Sequence, residues 1–179
     1  MVQGSADIAL NATGEKQSTA LAKTLQSVEP ELRQFDFYVS PQLRAQETMK
    51  IICADQPRDF ATVKTDARLR ELEFGIWEGK DIEAMHEARD YAHGQAGHYL
   101  WKPQGGESYQ EGVARVDDFL RSITGPSLIV SHGAIARCMI AYICNIPRID
   151  ITHLPTPQGC YCLLENGNYQ WFDANHRAV

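Results

Sequence analysis

Two residues that follow apolar runs, Arg44 and His132, have the side chains needed to bind a phosphoryl group. Arg44 lies in the first turn of a helical pattern that follows the strand-like run FDFYVS, and His132 comes directly after the run SLIVS. An arginine in the first turn of a helix offers two parallel N–H donors to an anion, and the helix dipole assists. Gly133 behind His132 would let the backbone approach a ligand closely. Taken singly, each residue has a structural alternative, as an exposed helix arginine or a hydrogen-bonded histidine.

The stretch LRELEFGIWEG, residues 69–79, places three carboxylates, Glu71, Glu73 and Glu78, among apolar side chains. A carboxyl group in apolar surroundings can have its pKa raised and act as a general acid near neutral pH. For any one of the three, a solvated loop acid is the alternative. The following GGES, residues 105–108, indicates a turn and then a helix start, because Ser108 and Glu111 have the spacing of a capping box.

Strand-like and helical patterns alternate along the chain, which predicts an α/β domain with a largely parallel sheet. We expect FDFYVS to lead into a helix with Ser40 as its N-cap and Pro41 as its first residue. Thr13 is the expected cap of an earlier helix. CYCLLENGNYQWF, residues 160–172, predicts a hairpin around an Asn-Gly turn. Ligands of parallel sheets bind beyond the carboxyl ends of the strands, where both Arg44 and His132 are expected.

Bulk composition narrows the possible partners. The 179 residues fit one domain, residues 1–179, and 17 basic against 23 acidic side chains give a net charge of −6. A nucleic-acid partner is not expected, because a phosphate backbone demands a basic surface. No apolar run reaches the ~18 residues of a membrane helix. Cysteines in apolar helical patterns predict free thiols and a cytoplasmic location. Cys160 and Cys162 share a strand face, but a metal site would need further ligands, so no metal is expected.

Four blocks of sequence, in order, resemble the histidine phosphatase superfamily, also called phosphoglycerate mutase-like. They are SPQLRAQET, LRELEFGIWEG, GGES and IVSHG, and the resemblance extends over about residues 3–171. The sequence is most similar to the small bacterial phosphatases that include α-ribazole phosphatase-like proteins. The resemblance implies a three-layer fold with a mostly parallel central sheet flanked by helices. It also implies no cofactor, and a small phosphorylated metabolite or phosphate as the ligand.

The resemblance assigns roles to particular residues. It implies that Arg44 is the second arginine of the phosphate pocket, His132 its second histidine, and Glu71 the proton donor. Gln3 and Gly4 would lie near the substrate, and Gly133 would border it. The predicted activity is hydrolysis of a phosphomonoester through a phosphohistidine.

One motif of the family is absent from the sequence. The family begins with a strand that ends in Arg-His-Gly, whose histidine is the nucleophile, whereas this sequence begins at Met1, just after that place. The resemblance therefore implies a sheet without its first strand and a truncated, N-terminally incomplete chain. We expect such a chain to be inactive or crippled.

Other functions are compatible with the sequence. A non-catalytic phospholigand-binding module would keep Arg44 and His132 alone, and a phosphoglycerate mutase-type transfer would use the same pocket. A purely structural protein would require Arg44, Glu71 and His132 to lie far apart. Residues 91–104 are expected to form a loop over the pocket, and the sequence leaves the substrate and the oligomeric state open.

Overall fold

The computed structural model describes residues 1–28, 32, 34–56, 58–93 and 97–179. Five helices and five strands are found there: α1 Ala12–Val28, β1 Asp36–Val39, α2 Leu43–Ala54, β2 Lys64–Thr65, α3 Ile82–His93, α4 Tyr109–Ser122, β3 Ser127–Val130, α5 Gly133–Ile143, β4 Tyr161–Glu165 and β5 Asn168–Phe172. None of the helices in these ranges is long and apolar enough to cross a membrane.

The central sheet has the strand order β2-β1-β3, and both pairings are parallel. Strands β4 and β5 form a separate antiparallel hairpin. Its turn residues Asn166 and Gly167 have φ values of 52° and 75°, the left-handed conformation that an Asn-Gly turn supplies. The predicted α/β class, the parallel sheet and the hairpin are therefore confirmed.

Helices cover both faces of the central sheet. Phe37 and Val39 of β1 pack with α1 and α2, whereas Tyr38 between them packs with α4 and α5. This alternation follows from the two-residue repeat of a strand. The ring of Tyr38 meets that of Phe119 edge-on, with centroids 5.3 Å apart. The result is the predicted arrangement of three layers.

Strand β3 has one edge that pairs with no other strand among the described residues. The other edge of β3 is paired with β1. There the carbonyls of Pro126 and Val130 accept the backbone N–H groups at the two ends of β1, at 3.0 Å each. Because backbone groups of a strand alternate in direction, those of Ser127 and Ile129 point away from β1. They face a cavity of about 1470 Å³ whose lining includes both β3 and β4. In the described part of the chain, the central sheet therefore ends on this side at an unpaired edge of β3.

Two predicted helix caps are wrong. Helix α2 begins at Leu43, so Ser40 is not its N-cap and Pro41 is not helical. The Leu43 N–H is instead bound by the carboxylate of Asp7, at 2.6 Å. Helix α1 begins at Ala12, and the Asn11 side chain, not Thr13, accepts the N–H of Gly14 at 2.8 Å. Helix α4 does have the predicted capping box of Ser108 and Glu111.

The predicted loop at residues 91–104 is only partly a loop. Helix α3 continues to His93, so the first three of these residues are helical. Residues 94–96 lie outside the described ranges, and a short turn follows at residues 97–100.

Candidate active site

The carboxyl ends of β1 and β3 bring together the three side chains that the sequence singled out. Arg44 lies in the first turn of α2, His132 is the N-cap of α5, and Glu71 lies in the connection after Leu69. All three line the same cavity. Arg44 interacts electrostatically with both Glu71 and His132. The premise of the purely structural alternative, that these residues lie far apart, is therefore not met.

Glu71 is held at the start of helix α5. Its Oε1 accepts the Leu72 N–H at 2.9 Å, and its Oε2 accepts the Ala134 N–H at 3.2 Å. Burial nevertheless raises the pKa of Glu71 above its usual range, because the loss of solvation outweighs these bonds and the nearby Arg44. A carboxyl group with a raised pKa can keep a proton closer to neutral pH, as a general acid requires.

His132 is a buried, neutral imidazole. Its Nε2 lies 2.7 Å from the hydroxyl oxygen of Ser40 at the end of β1. Burial, and then the positive charges of Arg44 and Arg115, lower the pKa of His132 to about 3. A neutral imidazole carries one N–H donor and one acceptor, so in this state His132 acts through hydrogen bonds and not through charge.

Both terminal nitrogens of Arg44 donate to backbone carbonyls. Nη1 donates to the carbonyl of Ala6 at 2.7 Å, and Nη2 donates to that of Gly4 at 2.9 Å. Three carboxylates, those of Glu71, Asp7 and Glu78, act on the Arg44 guanidinium. Burial lowers the pKa of Arg44 despite them, but an arginine keeps its charge at neutral pH.

Gln42 connects these groups, and the sequence analysis missed it. Its Nε2 donates to the Gly4 carbonyl at 2.9 Å, and its Oε1 accepts the Glu71 N–H at 2.7 Å. Its own backbone N–H contacts the Ser40 hydroxyl at 3.3 Å. The available signal was the position of Gln42 in the sequence, between the end of a strand and the helical Arg44. An amide buried there would need hydrogen-bond partners, because buried polar groups are rarely unpaired.

The glycines and the glutamine expected near the substrate are found at the cavity wall. Gly4 has φ of +52°, and a Cβ there would lie 2.2 Å from Oε1 of Glu78, so a side chain at this position would strain the backbone and displace the Glu78 carboxylate. Gln3 is exposed and lines the cavity. Gly133 also lines it, and a Cβ there would meet Thr156 at an ordinary 3.4 Å.

Of the three candidate carboxylates, only Glu71 contacts helix α5. Glu78 turns to the N-terminal segment, where its Oε1 accepts the Ser5 N–H at 2.8 Å. Oε1 of Glu73 lies 3.4 Å from Nε of Arg70 in a half-buried ion pair. The backbone of Glu107 is bonded to this loop, since the Glu107 N–H donates to the Glu73 carbonyl at 2.7 Å. GGES is thus both a helix start and a support for the loop that carries Glu71.

The positions of the His, Cys, Asp and Glu side chains determine whether a metal ion could bind. Within the described ranges, no three His, Cys, Asp or Glu side chains lie close enough to hold a metal ion. Cys160 and Cys162 have free thiols and belong to no such group there.

Comparison with known sequences gives a consistent family. The sequence model of the histidine phosphatase superfamily (branch 1) matches residues 1–175. A 6-phosphofructo-2-kinase/fructose-2,6-bisphosphatase of Caenorhabditis elegans is 31% identical over 159 residues, which cover 84% of this chain and 32% of that protein. A probable phosphoglycerate mutase, GpmB, of Salmonella choleraesuis is 30% identical over 154 residues, which cover 82% of this chain and 68% of that protein. The chain thus spans about a third of the first relative and about two thirds of the second.

Solved structures share the fold. The α-ribazole phosphatase of Shigella flexneri superposes with a TM-score of 0.75 at 25% identity, over 94% of this chain and 85% of that one. A mycobacterial glucosyl-3-phosphoglycerate phosphatase, solved with VO3, gives a TM-score of 0.75 at 23% identity, over 99% and 88%. At that lower identity the likeness concerns the fold alone.

Proposed function

This chain belongs to the histidine phosphatase superfamily, and we propose that its cavity binds the phosphoryl group of a small phosphorylated metabolite for hydrolysis. The observation that carries the proposal is the convergence of Arg44, Glu71 and His132 at the carboxyl ends of β1 and β3. In parallel α/β sheets this edge is where ligands bind.

Each side chain has a role suited to its chemistry. The guanidinium of Arg44 and the N–H of His132 would stabilise the equatorial oxygens of the phosphoryl group. Glu71, whose pKa is raised by burial, would protonate the leaving oxygen. The Gly4 and Gly133 backbones and the exposed Gln3 side chain would border the substrate.

The nucleophile is proposed to come from a strand that is absent from this chain. The unpaired edge of β3 and the cavity between β3 and β4 support a further strand at this position. A strand that ends in Arg-His-Gly would place its histidine near Arg44 and His132. We therefore propose that the single domain of residues 1–179 is N-terminally incomplete and lacks hydrolytic activity by itself.

Two other functions each have an observation in their favour. A non-catalytic phospholigand-binding module would explain the absence of Arg-His-Gly from the sequence. Phosphoglycerate mutase-type transfer is suggested by the name of the Salmonella relative.

A cytoplasmic location is also proposed, supported by five free cysteines.

Phosphate binding and hydrolysis, measured separately, test the proposal. We expect the purified chain to bind inorganic phosphate in titration calorimetry and not to hydrolyse p-nitrophenyl phosphate. Arg44→Gln should weaken phosphate binding about ten-fold or more, the loss typical of a charge-assisted hydrogen bond. Arg121→Gln, which removes an exposed arginine paired with Asp117, is the matched control and should bind as wild type does.

Two results would contradict the proposal. Unchanged phosphate affinity in Arg44→Gln would show that the pocket is not the binding site. Turnover of the unmodified chain at about 1 s⁻¹ or faster, an ordinary enzymatic rate, would show that no further nucleophile is needed.

A further inference from the structure

Arg137 lines the cavity one helical turn beyond Gly133, on the same face of α5. We propose that Arg137 binds a second anionic group of the substrate, so that the substrates are phosphomonoesters with a further phosphate or carboxylate. The inference rests on the proposed function, because it takes Arg44 and His132 as the site of the phosphoryl group that is hydrolysed. It adds a site for the rest of the substrate.

The first observation is that Arg137 has a positive charge without an ionic partner. Among the described residues, three arginines line the cavity: Arg44, Arg89 and Arg137. Arg89 is paired with the carboxylate of Asp90 at 3.1 Å. Arg137 is half-buried and forms no ion pair with any described Asp or Glu. A charge that is withdrawn from water is costly unless an opposite charge compensates for it, and an anionic ligand would do so.

The second observation is that the guanidinium of Arg137 is held in place and still has free donors. Its Nε donates to the Leu154 carbonyl at 2.7 Å, and its Nη1 donates to the Tyr109 hydroxyl at 3.2 Å. Burial raises the pKa of Tyr109 to about 12, so this hydroxyl is neutral and does not balance the charge of Arg137. One N–H of Nη1 and both of Nη2 have no partner in the described part of the chain. The side chain is therefore oriented but not saturated.

The third observation is the position of Arg137 relative to Glu71. The positive charges of Arg44 and Arg137 both act on the Glu71 carboxyl group. The charge of Arg44 also acts on His132, whereas that of Arg137 acts on His86 of α3, which lines the cavity too. Arg137 therefore extends the positive part of the cavity from Glu71 toward α3. Since Glu71 is the proposed donor to the leaving oxygen, an anion bound by Arg137 would belong to the leaving group.

Ligands that differ by one anionic group test this inference. Each ligand set consists of an alcohol monophosphate, the corresponding bisphosphate and the corresponding phosphate-carboxylate, such as 2-hydroxyethyl phosphate, ethane-1,2-diol bisphosphate and phosphoglycolate. Longer sets, built on propane-1,3-diol and butane-1,4-diol, vary the distance between the two ends. In titration calorimetry we expect a ligand with two anionic groups to bind the unmodified chain about ten-fold tighter or more than its monophosphate, the gain typical of a charge-assisted hydrogen bond.

Two variants locate the second anion. Arg137→Gln keeps a polar side chain but removes the charge, so the three members of a set should bind it within about two-fold of one another. Arg121→Gln is the matched control, because Arg121 is exposed, is paired with Asp117 and does not line the cavity. It should keep the ten-fold advantage. In the unmodified chain, the Nε resonance of Arg137 should shift with the ligand that has two anionic groups and not with its monophosphate, a readout that is independent of the stability of any variant.

The outcomes separate this inference from the proposed function. An advantage that is limited to bisphosphates, or to phosphate-carboxylates, and is lost in Arg137→Gln would support the inference and identify the second group. Binding of inorganic phosphate with no advantage beyond about two-fold for any second anionic group would overturn the inference and leave the phosphate pocket standing. An advantage that persists in Arg137→Gln would also overturn it, because the second anion would then be bound elsewhere. Absence of binding of inorganic phosphate and of every ligand would overturn both proposals.

Discussion

At the scale of single residues, His132 shows how burial sets a protonation state. Its pKa of about 3 lies well below the usual value for a histidine, because burial and two nearby arginines disfavour the imidazolium. The unfolded chain takes up a proton near pH 6.5, whereas the folded chain does not. The stability that follows from this difference is fully present above pH 6.5 and is lost as the pH falls toward 3.

The pH dependence of unfolding should reveal this linkage. We expect His132→Gln to gain about 1 to 2 kcal/mol of unfolding free energy relative to wild type between pH 7 and pH 5, because glutamine cannot be protonated. Urea unfolding at each pH measures the difference.

The control for His132 is His153→Gln, which removes an exposed histidine. This variant should keep the steep acid loss of stability that wild type shows. A constant difference between His132→Gln and wild type from pH 7 to pH 5 would contradict the lowered pKa of His132.

The residues of the candidate site fall into two groups: those that local sequence patterns indicate, and those whose contacts join distant parts of the chain. Strand ends and apolar neighbours are local signals that made Arg44, His132 and Glu71 candidates, and the resemblance to the family assigned their roles. Gln42 and Asp7 were not predicted, because their contacts join distant parts of the chain. The Asp7 carboxylate and the Leu43 N–H are 36 positions apart, and the Gln42 amide and the Glu71 N–H are 29. Such pairs depend on packing that no local pattern encodes.

At the scale of elements, the same division explains the helix caps. The capping box of α4 was predicted correctly because both of its residues lie within one turn. Ser40 was predicted as the N-cap of α2, but its hydroxyl contacts His132 across the sheet instead. The cap of α2 is Gln42, which makes no side-chain cap bond, because its amide is used by Gly4 and Glu71.

The loop that carries Glu71 depends on close contact with Gly106. A Cβ at Gly106 would lie 2.3 Å from the backbone oxygen of Glu73 and 2.7 Å from Pro103. We expect Gly106→Ala to lower the free energy of unfolding by about 1 to 3 kcal/mol, the usual cost of overpacking. Urea unfolding measures it directly.

Gly125→Ala is the matched control for Gly106→Ala. A Cβ at Gly125 would have no neighbour within 4 Å, so this variant should stay within about 0.5 kcal/mol of wild type. Equal stability of the two alanine variants would mean that the loop moves away from Gly106 without cost.

At the scale of the whole molecule, the distinctive feature is the edge of the central sheet at β3, which borders a cavity. The alternation of strands and helices was enough to predict the layers and the parallel pairing. An unpaired edge in this sheet was expected only from the resemblance to a family with a further strand, and the cavity between β3 and β4 was not predicted. Its lining includes apolar side chains of several elements, among them Leu25 of α1, Ile52 of α2 and Ile140 of α5. Apolar walls on both sides of an unpaired strand edge are the environment of an interior strand.

If the proposed function is right, an added strand should both stabilise the molecule and give it phosphatase activity. We expect four apolar residues followed by Arg-His-Gly, fused directly before Met1, to raise the melting temperature by about 4 °C or more, as ~2 kcal/mol does in a domain of this size. The strand would pair with the free backbone groups of Ser127 and Ile129, because buried N–H and C=O groups require partners. The same fusion should hydrolyse p-nitrophenyl phosphate.

Two matched fusions separate the structural effect from the chemical one. With glutamine in place of the added histidine, the thermal gain should persist and hydrolysis should vanish, because the covalent step needs the imidazole nitrogen. A Gly/Ser segment of equal length should give neither effect, since it buries no apolar side chains. If the apolar fusion melted no higher than the Gly/Ser fusion, the cavity beside β3 would not be a strand site, and the origin proposed for the nucleophile would fail with it.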